Sequence, residues 1–127
     1  MGLFSSLMGN AGAVTTKTLM KDYGKLLIEG EQIELGFKLI RDTFIFTNKR
    51  LITIDVQRLT GSKTEYLSIT YKSISRFSIE TAGTFELDAE LKIWVSSETQ
   101  PGIRKKFNKS VNVYEVHTLL ASHVLKS

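Results

Sequence analysis

Glu86, Asp88 and Glu90 stand at alternate positions, and of all the residues here their spacing comes nearest to acid–base chemistry. On an extended strand they share one face about 7 Å apart, a separation that a pair of carboxyl groups can use in bond cleavage. Nothing beside them in sequence supplies a cleft, and an acidic strand face is ordinarily solvated or set against a basic partner. A basic run that could serve as that partner is Arg104-Lys105-Lys106, with Lys109 close behind. His117 falls beside the apolar stripe of a C-terminal helix and reads as a helix-surface residue rather than a base. With two histidines and no cysteine, a histidine-rich metal site, disulfides and thiolate chemistry are all excluded. No catalytic residue, metal or cofactor is expected.

Other polar residues stand out for their place at the ends of β-type segments. Arg41 and Asp42 open, and Asp55 closes, a stretch in which Thr43–Thr47 and Leu51–Val56 flank an Asn48-Lys49-Arg50 break. Phe44, Phe46, Ile52 and Ile54 fill its centre, so this hairpin must bury one face in a sheet or barrel. Lys63 opens a later strand, Tyr71 follows that strand, and Glu80 ends the next. Arg41, Asp42, Lys49, Arg50, Asp55, Lys63, Tyr71 and Glu80 are therefore the candidate binding and interface residues. Each has a plainer reading beside it. The Arg41-Asp42 charges can be a turn that pairs with neighbouring subunits, Lys49-Arg50 a solvated turn, Glu80 a surface acid, and Tyr71 half-buried packing.

Elements must position these residues, and composition bounds them. At 127 residues the chain fits one domain able to bury roughly two thirds of its unfolded surface. A hydrophobic content of 42% with 24% charged residues is that of a soluble globular protein, and no apolar run reaches the ~20 residues of a transmembrane helix. The absence of cysteine is compatible with a reducing cytoplasm, so a cytoplasmic location is expected, with membrane association as a variant of it. The net charge of +4 is mild and its cations are interspersed with acids, which argues against nucleic acid as the partner. No charged side chain precedes Lys17. Leu3–Met8 is too short an apolar run, and lacks the basic flank, for a secretory signal. Met1-Gly2 followed by Ser6 fits the N-myristoylation pattern, but the reading adopted is a small-residue N-terminal arm.

Within Val14–Ile28, Leu19, Met20, Tyr23, Leu26 and Leu27 recur at helical spacing, which predicts an amphipathic helix with Gly30 placed to end it. Ile33, Leu35 and Phe37 then alternate with polar residues as a half-buried strand. The hairpin follows, then a turn at Arg58–Ser62, strands over Lys63–Ile69 and Ile74–Ile79, and a long alternating strand over Phe85–Val95. Ser96–Gly102 forms a turn and Ile103–Lys109 a last, basic strand. Asn112 with Glu115 three residues later starts a closing helix in the manner of a capping box. Val113, Val116, Leu120 and Val124 form its apolar stripe, which must dock on the open end of the sheet. The expected divisions are an N-terminal arm and helix over 1–28 and the domain proper over 29–127.

The sum is a mainly β chain (α+β by content) of about seven antiparallel strands, with a C-terminal α-helix as cap and an extra N-terminal helix. Glu29-Gly30-Glu31-Gln32-Ile33, Arg41-Asp42-Thr43 through Phe46-Thr47-Asn48-Lys49-Arg50-Leu51-Ile52, Gly61-Ser62-Lys63, Ser68 through Ile74 and Phe77 through Gly83 follow in order. With Glu90 through Trp94 and Tyr114-Glu115-Val116 they resemble the bacterial pleckstrin-homology (PH) domain family over about Leu26 to Val124. The resemblance implies a PH-like split barrel that assembles into symmetric, ring-like homo-oligomers. A polar surface running from the subunit interface toward the barrel mouth is the implied site for a protein or ligand. The family pattern has proline where Thr70 stands, so that strand end is expected to be less rigid.

The function expected is thus a non-enzymatic binding and assembly domain whose first partner is itself and whose second is another protein. The alternative is a peripheral module that meets anionic lipid through the N-terminal arm and the basic strand. Phosphoinositide is not expected. The loop Leu39-Ile40-Arg41-Asp42 offers few cations, and Asp42 would repel a phosphate held there.

Overall fold

This computed structural model describes residues 12–39, 41–57, 63–81, 89–107 and 111–126. Strands β1 (Gly12–Ala13), β2 (Ile33–Lys38), β3 (Asp42–Thr47), β4 (Arg50–Gln57) and β5 (Lys63–Thr70) make one antiparallel sheet in that order. Strands β6 (Ile74–Thr81), β7 (Ala89–Val95) and β8 (Ile103–Phe107) make a second antiparallel sheet. Helix α1 (Thr16–Tyr23) lies between β1 and β2 in sequence, and helix α2 (Val113–Val124) follows β8. Apart from the two-residue β1, these are the seven strands and two helices that hydrophobic periodicity predicts. Of the expected Phe85–Val95 strand only the part from Ala89 belongs to the described residues, so Glu86 and Asp88 lie outside them, as do the Arg58–Ser62 turn and Lys109.

Three phenylalanines join the sheets. Phe37 on β2 sits opposite Phe44 on β3 with their rings stacked at 5.5 Å, and Phe107 of β8 meets Phe37 edge-on at 4.6 Å. Leu91 and Ile93 of β7 complete the contact from the second sheet. Helix α2 closes the core with Val113, Val116 and Leu120, all buried. Its start is half of the expected capping box. The Asn112 side chain accepts from the Tyr114 and Glu115 amides, while Glu115 Oε1 is buried without a hydrogen-bond partner.

The hairpin expected to bury one face buries both. Phe44 and Phe46 face the inter-sheet core, whereas Ile45, Ile52 and Ile54 form a separate cluster on the outer side, covered by Leu19 of α1. The chain beside that cluster lies close because position 36 is glycine: a Cβ there would overlap Leu19 Cδ1 and come within 3.1 Å of the Phe44 carbonyl. The first helix therefore has a place in the fold that a minimal barrel does not suggest. It is also shorter than the predicted Val14–Ile28. Thr15 caps it by accepting from the Thr18 amide, and the α-helix ends at Tyr23. Gly24–Leu26 continue as a tighter 3-10 turn and Leu27 is already extended. Gly30, the expected terminator, instead sits in the following turn with φ 83°.

Candidate functional site

Among the described residues β5 and β8 each pair on one side only, so each presents a free edge within its sheet. Between them lies a groove of about 290 Å³ whose apolar walls include Phe44, Leu67 and Ile103. A second hollow of about 360 Å³, between the end of β5 and the β7–β8 turn, adjoins it at Leu67 and Ile103. Every β5 residue except Ile69 is exposed, and Leu67 keeps 44% of its surface accessible.

Strand register gives the groove its charge. Asp42 is paired with Asp55, and Asp55 with Glu65, so three carboxylates line up across β3, β4 and β5. Like charges directly opposite one another in a sheet are destabilising. Lys105 reaches across from the second sheet to Asp42, with Nζ 2.5 Å from Oδ2. Asp55 and Glu65 make no ion pair among the described residues. Of the two candidates in this row, Asp42 and Asp55 were expected from sequence. Glu65 was not, although the β4–β5 register would have placed it opposite Asp55, and Lys105 stood out only as part of the basic run, with a partner on β7 rather than Asp42 in view.

The other end of the same sheet holds a buried ion pair. Arg50, on the tip of the hairpin, donates from Nε to Glu31 Oε2 at 2.8 Å and from Nη2 to Oε1 at 3.0 Å. It also donates to the Leu26 carbonyl and to Ser68 Oγ. The Arg50 hydrogen bond holds the Glu31 carboxyl down to about 2, aided by the Thr47 hydroxyl and the Ile28 amide and opposed by burial. The same pairing with Glu31 raises Arg50. With its fork committed inside the chain, Arg50 ties the hairpin to the segment after α1 and is not a solvated turn residue.

Tyr71 is buried beside this pair. Its hydroxyl donates to the Thr47 carbonyl at 2.6 Å, and its ring stacks on His123 at 4.3 Å with the planes 7° apart. Burial first, then the charges of Glu34 and Glu31, pushes the phenol well above its usual range. His123 Nε2 lies 2.8 Å from Glu34 Oε1, which fastens the end of α2 to β2. Tyr71 thus takes the packing role, and His123, which drew no notice in the sequence, joins the sheet to the closing helix.

The remaining candidates are dispersed. Lys49 is exposed in the β3–β4 turn, its amide donating to the Thr47 hydroxyl. Arg41 is exposed before β3, and Lys63 is exposed at the start of β5 opposite Gln57. Glu80 is exposed on β6 and pairs with Lys92 at 3.4 Å. On β7 and β8, Glu90 meets Arg104 at 3.6 Å within the one chain. Among the described residues no three histidine, cysteine or carboxylate side chains are placed to hold a metal ion.

Two stacked sheets, seven principal strands and a closing C-terminal helix are one half of the comparison with known proteins; sequence supplies the other. The family description "Bacterial PH domain" matches residues 2–124. This chain belongs to the bacterial PH domain family. It is 49% identical over 122 residues to YjqA, an uncharacterized protein of Bacillus subtilis strain 168, covering 96% of this chain and 98% of that one. A second uncharacterized protein of that strain, YozO, is 35% identical over 124 residues, with 98% of each covered. Two crystal structures align closely. A PH-domain protein from Shewanella loihica has a TM-score of 0.80 at 43% identity, covering 92% of this chain and 99% of that one. A PH domain from Shewanella amazonensis has a TM-score of 0.74 at 40% identity, covering 88% and 100%. Bacterial PH domains share a fold that serves in general for binding, and none of these relatives carries the name of an enzyme.

Proposed function

We propose that this bacterial PH domain is a non-enzymatic, cytoplasmic assembly module: copies join into a closed homo-oligomer and present a polar surface to another protein. The observation that carries the reading is the apolar surface left around α1 after it docks. Met20 on the helix remains 48% exposed and Ile28 just beyond it 61%. On the same outer side of the sheet Tyr66, the partner of Ile54 in the strand register, remains 49% exposed. Met20 and Ile28 belong to the segment that covers this side of the sheet and Tyr66 to the sheet itself; where exposed apolar side chains adjoin they mark an interaction surface, and a head-to-tail contact that closes gives a ring. The membrane alternative gains less support, because on the basic strand β8 both Arg104 and Lys105 already have carboxylate partners, Glu90 and Asp42.

Tyr66→Lys and Met20→Lys place a cation on this surface without touching the core. Light scattering is expected to show a lower mass for each variant than for the wild type, with unchanged circular dichroism. Co-sedimentation with vesicles containing anionic lipid is expected to leave the wild type in the supernatant. Salt-sensitive pelleting together with a monomeric mass would replace this reading with the membrane one.

A further inference from the structure

We infer that the groove between β5 and β8 receives an extended segment of another protein, added as a strand to the free edge of β5, with a lysine or arginine two residues from a large apolar side chain. The inference rests on the polar-surface part of the reading above and names the partner that surface fits. β5 offers eight residues of strand with a single paired edge. A long exposed edge is a template for strand addition unless it is blocked, and strand addition takes its affinity from backbone hydrogen bonds and its selectivity from alternate side chains.

The groove sets that selectivity. Glu65 and Leu67 are two residues apart and so point to the same side of β5, the side toward Phe44 and Ile103. Asp55 stands opposite Glu65, and Thr53 opposite Leu67. A segment laid along the free edge of β5 therefore has Glu65 as its neighbouring carboxylate, with Asp55 one strand further in, and meets an apolar wall at the next inward position. Lys105 already occupies Asp42, and Arg104 on the same wall is paired with Glu90, which among the described residues leaves Asp55 and Glu65 as the acceptors for an incoming cation. A long cationic side chain reaching from the added strand over Glu65 toward Asp55 would relieve the repulsion that their register imposes. An acidic segment would add to it.

The test uses the full-length protein and blocked peptides of the same eight-residue length as β5, built of threonine and valine with one leucine two positions from one lysine. Titration calorimetry is expected to detect binding, weakened at least about tenfold when glutamate replaces the lysine, as befits loss of a charge-assisted contact. In the Glu65→Lys variant that preference is expected to reverse. Added salt is expected to weaken the lysine peptide, and β5 amides are expected to gain protection from hydrogen exchange on binding. Equal affinity for the two peptides, or no binding by protein whose circular dichroism is native, would overturn the inference. So would a change of oligomeric mass in Glu65→Lys alone, which would show a second copy in the groove. Met20→Lys separates the two proposals: it is expected to lower the mass and to leave peptide affinity unchanged.

Discussion

Glu31 and Arg50 are nineteen positions apart, and their pairing holds the Glu31 carboxyl well below its usual range. Breaking a buried pair by removing one partner is costly because the other charge stays behind without compensation. Arg50→Met is expected to lower the unfolding free energy by roughly 3–5 kcal/mol, read from urea unfolding, whereas the exposed neighbour Lys49→Ala is expected to change it by under ~0.5 kcal/mol. The pair also fixes a pH dependence. The Glu31 carboxyl is depressed from 4.5 to about 2 on folding, so its contribution is fully present above about 4.5 and is lost as pH falls toward 2. That contribution is on the order of 3 kcal/mol. Acid titration of stability is expected to flatten through this window in Glu31→Gln. Single residues were the hardest scale to read from sequence. Arg50 was legible as a polar residue at a hairpin tip, but its partner lies beyond any local pattern, and no periodicity marks His123 as the ring that stacks on Tyr71.

Strands and helices were legible where one face is dry and the other wet. The alternation of Ile33, Leu35 and Phe37 predicts β2 as observed, and that of Leu91, Ile93 and Val95 predicts the described part of β7. The hairpin was legible as β structure but not as doubly covered, because what covers Ile45 is a helix from elsewhere in the chain. That docking depends on Gly36, which the strand pattern shows only as a gap between apolar residues. Gly36→Ala is expected to push α1 away, and Leu19→Ala to cost about 2–5 kcal/mol by leaving a cavity against Ile45 and Ile52; both are measurable by thermal unfolding. The two predicted helix ends fared differently. Asn112 caps α2 as expected, and Asn112→Ala should cost about 1 kcal/mol. The end of α1 came early because the chain tightens into a 3-10 turn from Gly24 and is extended by Leu27.

For the whole molecule, the order of elements and the family blocks made the split barrel legible from sequence, and the structure and the relatives bear it out. Its surfaces were less legible. The acidic and basic strands, open from sequence to pairing either within one barrel or between subunits, meet within one chain through Glu90 and Arg104. The apolar first helix spends Leu19 on its own sheet and leaves Met20 outside. What a chain leaves exposed depends on how its own elements have already paired, and sequence patterns carry that only weakly. The α1 face is the proposed place where copies meet. Light scattering of the full-length wild type across a dilution series tests it most directly. A discrete mass above that of one chain, which falls on dilution or in Tyr66→Lys, is the result predicted. A monomer whose mass does not change with concentration would contradict it.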